Sequence, residues 1–301
     1  MFLRQVGTSL VVDAPAKLNL FLRIVRRRED GYHDIDTVMT AIDLHDTLEF
    51  HPTHDAGIHL SVELAVSPLT GVAAGTIPQG SENLVVRAAE LLRKTARIST
   101  GAQIRLIKRI PSAAGMGGGS SDAAATLLGL NALWGIELDR QRLQGLAAQL
   151  GSDVAFFLGG SATARCTGRG EILEPLKLPA NLHFVVARPA AGLSTPLVYR
   201  HCQPDTQGFS PEGLIAALAQ GRVAHAAQCL HNGLQAPAES LSDAIRRVRE
   251  TFDRLPVLGH QLSGSGTAYF GVCHTRGQAL RIAGQLRSAG YPWVFVTRSC
   301  M

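Results

Sequence analysis

Apolar positions over the first 64 residues alternate with polar ones or run together in short blocks, a pattern of strands. They predict a strand pair around Ser9–Val12 and Leu18–Val25, a further strand near Asp46–His51 and another at Ile58–Leu64. A loop rich in Gly, Pro and Thr follows, Ser67 to Ser81. The spacing then changes. Leu84 to Arg97 (L-V-V-R-A-A-E-L-L-R-K-T-A-R) sets apolar residues three and four apart and predicts an amphipathic helix. Strand Ala102–Ile107 leads into P-S-A-A-G-M-G-G-G-S-S-D-A-A (Pro111–Ala124), which opens straight into an apolar helix, Ser120–Trp134. A shorter helix, Asp139–Leu150, ends at Gly151, expected there in the left-handed conformation. Strands return at Ser161–Thr167 and Glu171–Leu176.

The turn-rich break Pro175–Pro179 predicts a domain boundary, giving domains 1–177 and 178–301. Beyond it come strand His183–Arg188 and helices near Pro211–Ala219, Val223–Cys229 and Ser242–Phe252. A second glycine-serine loop, L-S-G-S-G-T-A at Leu262–Ala268, precedes strand Tyr269–Cys273, helix Gly277–Ala289 and strand Trp293–Thr297. Strands and helices alternate without a regular βα repeat, so the fold class is α+β in both domains.

Composition narrows the functional classes. With 301 residues, 46% hydrophobic and 18% charged, the chain can bury a substantial core. The net charge of +5 permits an anionic ligand, but Arg26–Arg28 is the only dense basic cluster and aromatics are 5%. A nucleic-acid groove needs basic stripes interleaved with aromatics, so no nucleic-acid partner is expected. The five cysteines show no C-x-x-C pair, which points to reduced thiols and a cytoplasmic location. No apolar run nears the ~20 residues of a membrane span, and M-F-L-R-Q-V-G-T lacks the order of a signal peptide.

The glycine loop carries the strongest chemical signal. Gly115, Gly117, Gly118 and Gly119 let the backbone bend and approach a ligand, Ser120 and Ser121 add hydroxyls, and the following helix turns its free N–H groups toward the loop. That combination suits phosphate. It is neither a Walker A, since no Lys follows the last glycine, nor a dinucleotide fingerprint. Lys17 is one of four lysines (with 94, 108 and 177) and sits among apolar neighbours, where an ammonium needs an anionic partner; the plainer reading is a snorkelling strand-end lysine. Asp153 in L-G-S-D-V-A-F-F is a candidate general base if a cation keeps it ionised, while by context alone Ser152 or Asp153 capping a short helical turn is the better reading. Gly31-Tyr32-His33 reads as a turn that can stack on and hydrogen-bond a base. Leu262–Ala268 is either a second phosphate-proximal turn or a tight connection.

Jointly these residues resemble the GHMP kinases, small-molecule kinases acting on substrates such as galactose, homoserine and mevalonate. P-A-K-L-N-L-F-L (Pro15–Leu22), D-G-Y-H (Asp30–His33), N-L-V-V-R-A-A (Asn83–Ala89), the glycine loop, G-S-D-V-A-F-F (Gly151–Phe157), T-P-L-V-Y (Thr195–Tyr199) and L-S-G-S-G-T-A follow the family's order across nearly the whole chain. The resemblance implies an N-terminal ribosomal-protein-like α/β domain that binds ATP and a C-terminal ferredoxin-like α+β domain, with the active site between them. The first motif joined to D-G-Y-H is similar to the branch that phosphorylates the 2-hydroxyl of a cytidine diphosphate-linked methylerythritol in isoprenoid precursor biosynthesis. It implies ATP and Mg²⁺, that small-molecule substrate, and a monomer or weak homodimer.

By the same resemblance Lys17 and Asp153 form the catalytic pair, Asp153 taking the proton of the attacking hydroxyl. Pro111, Ser112, Ala113, Ala114, Gly115, Met116, Gly117, Gly118, Gly119, Ser120 and Ser121 wrap the ATP phosphates, and Asn83 lies by the adenine. Cytosine stacks between Tyr32 and Tyr199 with His33 at its edge, and Asn19 and Thr195 help hold the substrate. Ser120 and Ser121 are candidates for Mg²⁺, whose ligands stay unassigned. Ala113, Ala114 and Met116 depart from the family's G-x-G-L pattern, and N-G-L-Q at Asn232–Gln235 stands where N-x-L-E is usual, with no evident meaning. A homoserine or mevalonate-type kinase would lack D-G-Y-H. A non-catalytic nucleotide- or nucleic-acid-binding relative should have lost Lys17 or Asp153.

Overall fold

The computed structural model describes residues 1–53, 55–64, 77–177 and 181–300. The N-terminal half orders as β1 (Phe2–Val6), β2 (Ser9–Arg27), β3 (His33–Pro52), β4 (Ile58–Leu64), α1 (Leu84–Ala96), β5 (Ala102–Lys108), α2 (Gly118–Leu133), α3 (Arg140–Leu150), α4 (Ser152–Leu158), β6 (Thr163–Thr167) and β7 (Ile172–Leu176). The C-terminal half continues with β8 (His183–Arg188), α5 (Thr195–His201), α6 (Glu212–Ala219), α7 (Val223–Gln228), β9 (His231–Asn232), α8 (Gln235–Leu241), α9 (Asp243–Phe252), β10 (Gly259–Leu262), β11 (Tyr269–Cys273), α10 (Arg276–Ser288) and β12 (Trp293–Arg298). Residues 67–76 of the expected loop and 178–179 of the expected boundary lie outside the described residues.

A large mixed sheet runs β1-β2-β3-β5-β4, with β6 and β9 joining β3 and β2, and a second, antiparallel sheet runs β10-β11-β8-β12. The strand pair expected at the start is one continuous strand. β2 is buried from Ala14 through Leu22 on both faces, and a strand covered on both sides loses the period-2 signal. Its pairing with β3 shifts register at Pro15/Ala16 and Asn19/Phe21, and these bulges re-aim the Lys17–Asn19 segment. β3 likewise extends far beyond the expected Asp46–His51.

Helix α1 buries Val85, Ala88, Ala89 and Leu92, one face of a 3.6 period. Asn83 caps it and Arg97, left-handed at φ 55°, ends it. α2 is apolar nearly all round because it packs on β2, α1, α3 and α4 together; its Gly129 leaves room for the Phe50 ring. β5 alternates buried and exposed residues, which puts Lys108 on the inward face. Gly151 does end α3, but with φ 162° and ψ 156° it is extended and not left-handed, because α4 starts at once and the chain must turn into it. Among the described residues no helix is long and apolar enough to cross a membrane.

The two halves share a core. Ala16, Leu18 and Phe21 of β2 pack with Ile110, Ala114 and Met116 of the glycine loop and with Phe184, Val186 and Phe270 of the second sheet. Ala114 and Met116 are thereby buried, and small or apolar replacements at these positions keep the loop seated.

Candidate active site

One cavity of about 800 Å³ is walled by both halves. It brings together Lys17, Asn19, Tyr32, His33, Asn83, Pro111 through Ser120, Asp153, Thr195 and Tyr199. Ser121 is the exception. Its side chain is fully buried with an unpartnered hydroxyl and does not line the cavity, since residue 121 falls on the inner face of α2.

Lys17 sits mid-strand, opposite Ala41, with 5% of its side chain exposed. The snorkelling reading is therefore excluded. Its Nζ lies 3.6 Å from Asp153 Oδ2 and donates to Asn19 Oδ1. Asn19 Nδ2 in turn donates to Thr37 Oγ1 at 2.9 Å. Asp153, 37% exposed, stands in the first turn of α4, whose N-cap Gly151 makes no side-chain cap bond. The capping reading fails for Asp153. A buried amine thus stands beside a carboxylate that reaches the cavity, a positive charge next to a proton acceptor.

The glycine loop approaches its surroundings closely. Lys17 N donates to Met116 O at 2.9 Å, so the loop is tied to the strand that carries the amine. Gly115 (φ 72°) and Gly117 (φ 68°) are left-handed. A Cβ on Gly117 would stand 3.1 Å from Lys17 Cγ and the Phe157 ring; one on Gly115 would stand 2.0 Å from Ser263 O. Because that last neighbour is backbone and Gly115 is left-handed, Gly115→Ala is expected to displace the loop and lower the melting temperature, read by a thermal melt. Helix α2 begins at Gly118, two residues earlier than expected, so Gly118, Gly119 and Ser120 form the first turn with its free N–H groups at the cavity. Asn83 lines the cavity too, but its side chain is occupied as the α1 cap: Oδ1 accepts from Val85 N at 2.8 Å and Nδ2 donates to Pro78 O at 2.6 Å.

Beneath the loop lies a charged cluster that the sequence did not single out. Lys108 Nζ donates to Asp46 Oδ2 and, at 2.8 Å, to Asp122 Oδ2, with all three side chains almost fully buried. Asp46 Oδ1 also accepts from the Arg109 and Ile110 N–H groups. Burial pushes the Asp122 carboxyl up to about 8; Lys108 opposes that and Asp46 adds to it. The scarcity of lysine was the one usable signal. Mg²⁺ takes one or two protein oxygens and completes its shell with phosphates and water. Ser120 on the cavity wall suits that demand, and among the described residues no group of three or more His, Cys, Asp or Glu offers a cage.

At the far end Tyr32 is 58% exposed and the Arg169 guanidinium lies 5.3 Å from its ring centroid. The His33 and Tyr199 rings are 5.3 Å apart and tilted by 40°. Burial lowers the His33 pKa, with Arg27 adding to it, and raises that of the Tyr199 phenol. The Thr195 and Ser265 hydroxyls are 2.7 Å apart. Arg169 was not legible beforehand, since a G-R-G turn carries no signal of the tyrosine it meets.

This site, set between two α+β units with a glycine turn at a helix start, defines a small-molecule kinase of the GHMP class. Residues 83–161 match the model of the GHMP kinases N terminal domain, and 214–292 that of the GHMP kinases C terminal. The 4-diphosphocytidyl-2-C-methyl-D-erythritol kinase of Pelotomaculum thermopropionicum is 40% identical over 292 residues, covering 95% of this chain and 96% of that one. The enzyme of the same name from Rhodopirellula baltica is 43% identical, covering 91% and 90%. A crystal structure of 4-(cytidine 5'-diphospho)-2C-methyl-D-erythritol kinase superposes with TM-score 0.79 at 39% identity, over 97% of this chain and 100% of the other. The chain belongs to the 4-diphosphocytidyl-2-C-methyl-D-erythritol kinase family of GHMP kinases.

Proposed function

We propose that this kinase moves the γ-phosphoryl group of ATP to the 2-hydroxyl of 4-diphosphocytidyl-2-C-methyl-D-erythritol, with Asp153 as base and Lys17 as its electrostatic partner. The observation that carries this is the 3.6 Å Lys17–Asp153 pair on the wall of the cavity that the Gly117–Gly119 turn borders. The hydroxyl oxygen bonds to the γ-phosphorus as the bond to the β-bridging oxygen breaks, ADP leaves, and the hydroxyl proton passes to Asp153. Lys17 offsets negative charge as it develops beside Asp153. The free N–H groups of Gly118 and Gly119 and the hydroxyl of Ser120 bind the phosphates. Mg²⁺ would supply charge neutralisation on the phosphates when bound, with Ser120 as its protein oxygen. The domain boundary belongs at 177/178, the protein works in the cytoplasm, and its solution state is a monomer or weak homodimer.

Tyr32 provides the cytosine platform in this reading, with Arg169 behind it and His33 against Tyr199. Aromatic stacking on a base contributes about 1–3 kcal/mol. Tyr32→Ala should therefore raise KM for the cytidyl substrate by about 5- to 150-fold while leaving KM for ATP unchanged. A coupled ADP-release assay with cytidyl-erythritol, mevalonate and homoserine acceptors tests the substrate assignment; comparable turnover of mevalonate would overturn it.

A further inference from the structure

The second glycine turn, Leu262–Ala268, meets the cavity at three places. Ser263 Oγ donates to Gly115 O at 2.9 Å, and Ser265 meets Thr195. A Cβ on Gly264 would stand 3.3 Å from Asn19 Oδ1 and 3.5 Å from Lys17 Nζ. Gly264 is left-handed at φ 56° and has no side chain, so the height of the turn above the amine is set by what holds its carbonyls.

Asn232 holds them. Its Nδ2 donates to Leu262 O and to Gly264 O, both at 2.8 Å, while its Oδ1 accepts from Leu234 N at 2.9 Å. Asn232 stands on β9 opposite Leu22 of β2, and Gly233 N donates to Leu22 O at 2.8 Å. This amide thus ties the turn to the strand that carries Lys17 and Asn19, beside the bonds from Asn19 N to Ser263 Oγ at 3.4 Å and from Gln261 Nε2 to Asn19 O at 2.8 Å. The first residue of the N-G-L-Q motif acquires a purpose, and its last does too: Gln235 Oε1 accepts from Leu262 N at 3.1 Å, while Gln235 Nε2 donates to Glu239 Oε1 at 2.9 Å. A glutamate at 235 could not donate to Glu239.

The geometry points to Asn232 as a positioning residue for phosphoryl transfer, acting through the Leu262–Gly264 turn on Lys17 and the glycine loop. It does not line the cavity, so its effect is indirect. The inference rests on the assignment of Lys17 and Asp153 made above. The position requires an amide, because two donors and one acceptor must sit on one short side chain. Aspartate has the shape but no donor, and it would set a carboxylate oxygen against two carbonyls.

The test compares Asn232→Ala, Asn232→Asp, Val248→Ala and Lys17→Met in the full chain. It measures kcat, KM for both substrates and melting temperature. Misplacement of a catalytic group by about an ångström can cost about a hundredfold in rate. Both Asn232 variants should lose about that factor in kcat, with KM for both substrates changing far less. Val248 is fully buried on α9 and does not line the cavity; its truncation should lower the melting temperature and leave kcat intact. Asn232→Asp with wild-type kcat overturns the inference, and so does a kcat loss in the Val248 variant as large as in the Asn232 variants. Full activity in Lys17→Met would instead overturn the underlying catalytic assignment. An inactive Lys17→Met beside a fully active Asn232→Asp removes the positioning role alone.

Discussion

Asp153→Asn lowers kcat about a thousandfold and leaves KM for ATP nearly unchanged. General-base contributions run from about a hundred- to ten-thousandfold, and a thousandfold corresponds to about 4 kcal/mol of barrier. The substitution keeps the shape of the side chain and a carbonyl oxygen facing Lys17, so the amine retains a partial partner and the fold is preserved. What is lost is the acceptor for the hydroxyl proton. The expected signature is a fall in kcat and kcat/KM together, which marks an interaction made in the transition state. Steady-state kinetics on the purified protein reads it, with a thermal melt as the control for folding. Turnover equal to the unmodified enzyme would remove Asp153 from the chemistry. A tenfold rise in KM with unchanged kcat would leave it a substrate contact only.

Why the sequence yielded some of this and not the rest follows from the residues. The α1 helix was legible because one face only is buried, so its period survives in the letters. The 19-residue β2 strand and the 20-residue β3 strand were cut short, because covered strands lose alternation and because Asp36, Thr37 and Thr40, all buried, read as polar interruptions. The glycine loop was legible from composition; its start of helix at Gly118 was not, since glycine is a poor helix former whose place there is fixed by Ile110 and Lys108 packed against it. Lys17 and Asp153 each stood out as a charge among apolar neighbours. Their meeting could not be read from spacing, because 136 positions separate them and only the packing of α2 against both β2 and α4 closes the gap. Asn232 was visible and uninterpreted for the same reason: its partners at Leu262 and Gly264 come from a distant turn.

Lys108→Met should unfold the protein or bring it close. The substitution removes the cation between Asp46 and Asp122, two carboxyls that are almost wholly buried. Breaking a buried pair by deleting one partner costs about 3–5 kcal/mol, a large part of the roughly 5–15 kcal/mol that keeps a domain folded. The damage is local first. Asp46 also holds the Arg109 and Ile110 N–H groups at the entrance to the glycine loop, and Lys108 Nζ lies 3.0 Å from where a Cβ of Gly118 would be. Urea unfolding measures the loss, and a midpoint equal to wild type would show that the cluster does not support the loop. Asp122→Asn separates the charge from the fold. In the native protein burial holds the Asp122 carboxyl protonated up to about 8, against 3.8 for an ordinary aspartate. The folded state therefore binds a proton that the unfolded state has released, and the stability this confers is complete below pH 4 and is lost as pH rises through 8. Asparagine never ionises and suffers no such loss. The melting temperature of Asp122→Asn relative to wild type should therefore climb between pH 5 and pH 9, and a difference that stays flat across that range would mean that Asp122 ionises normally beside Lys108.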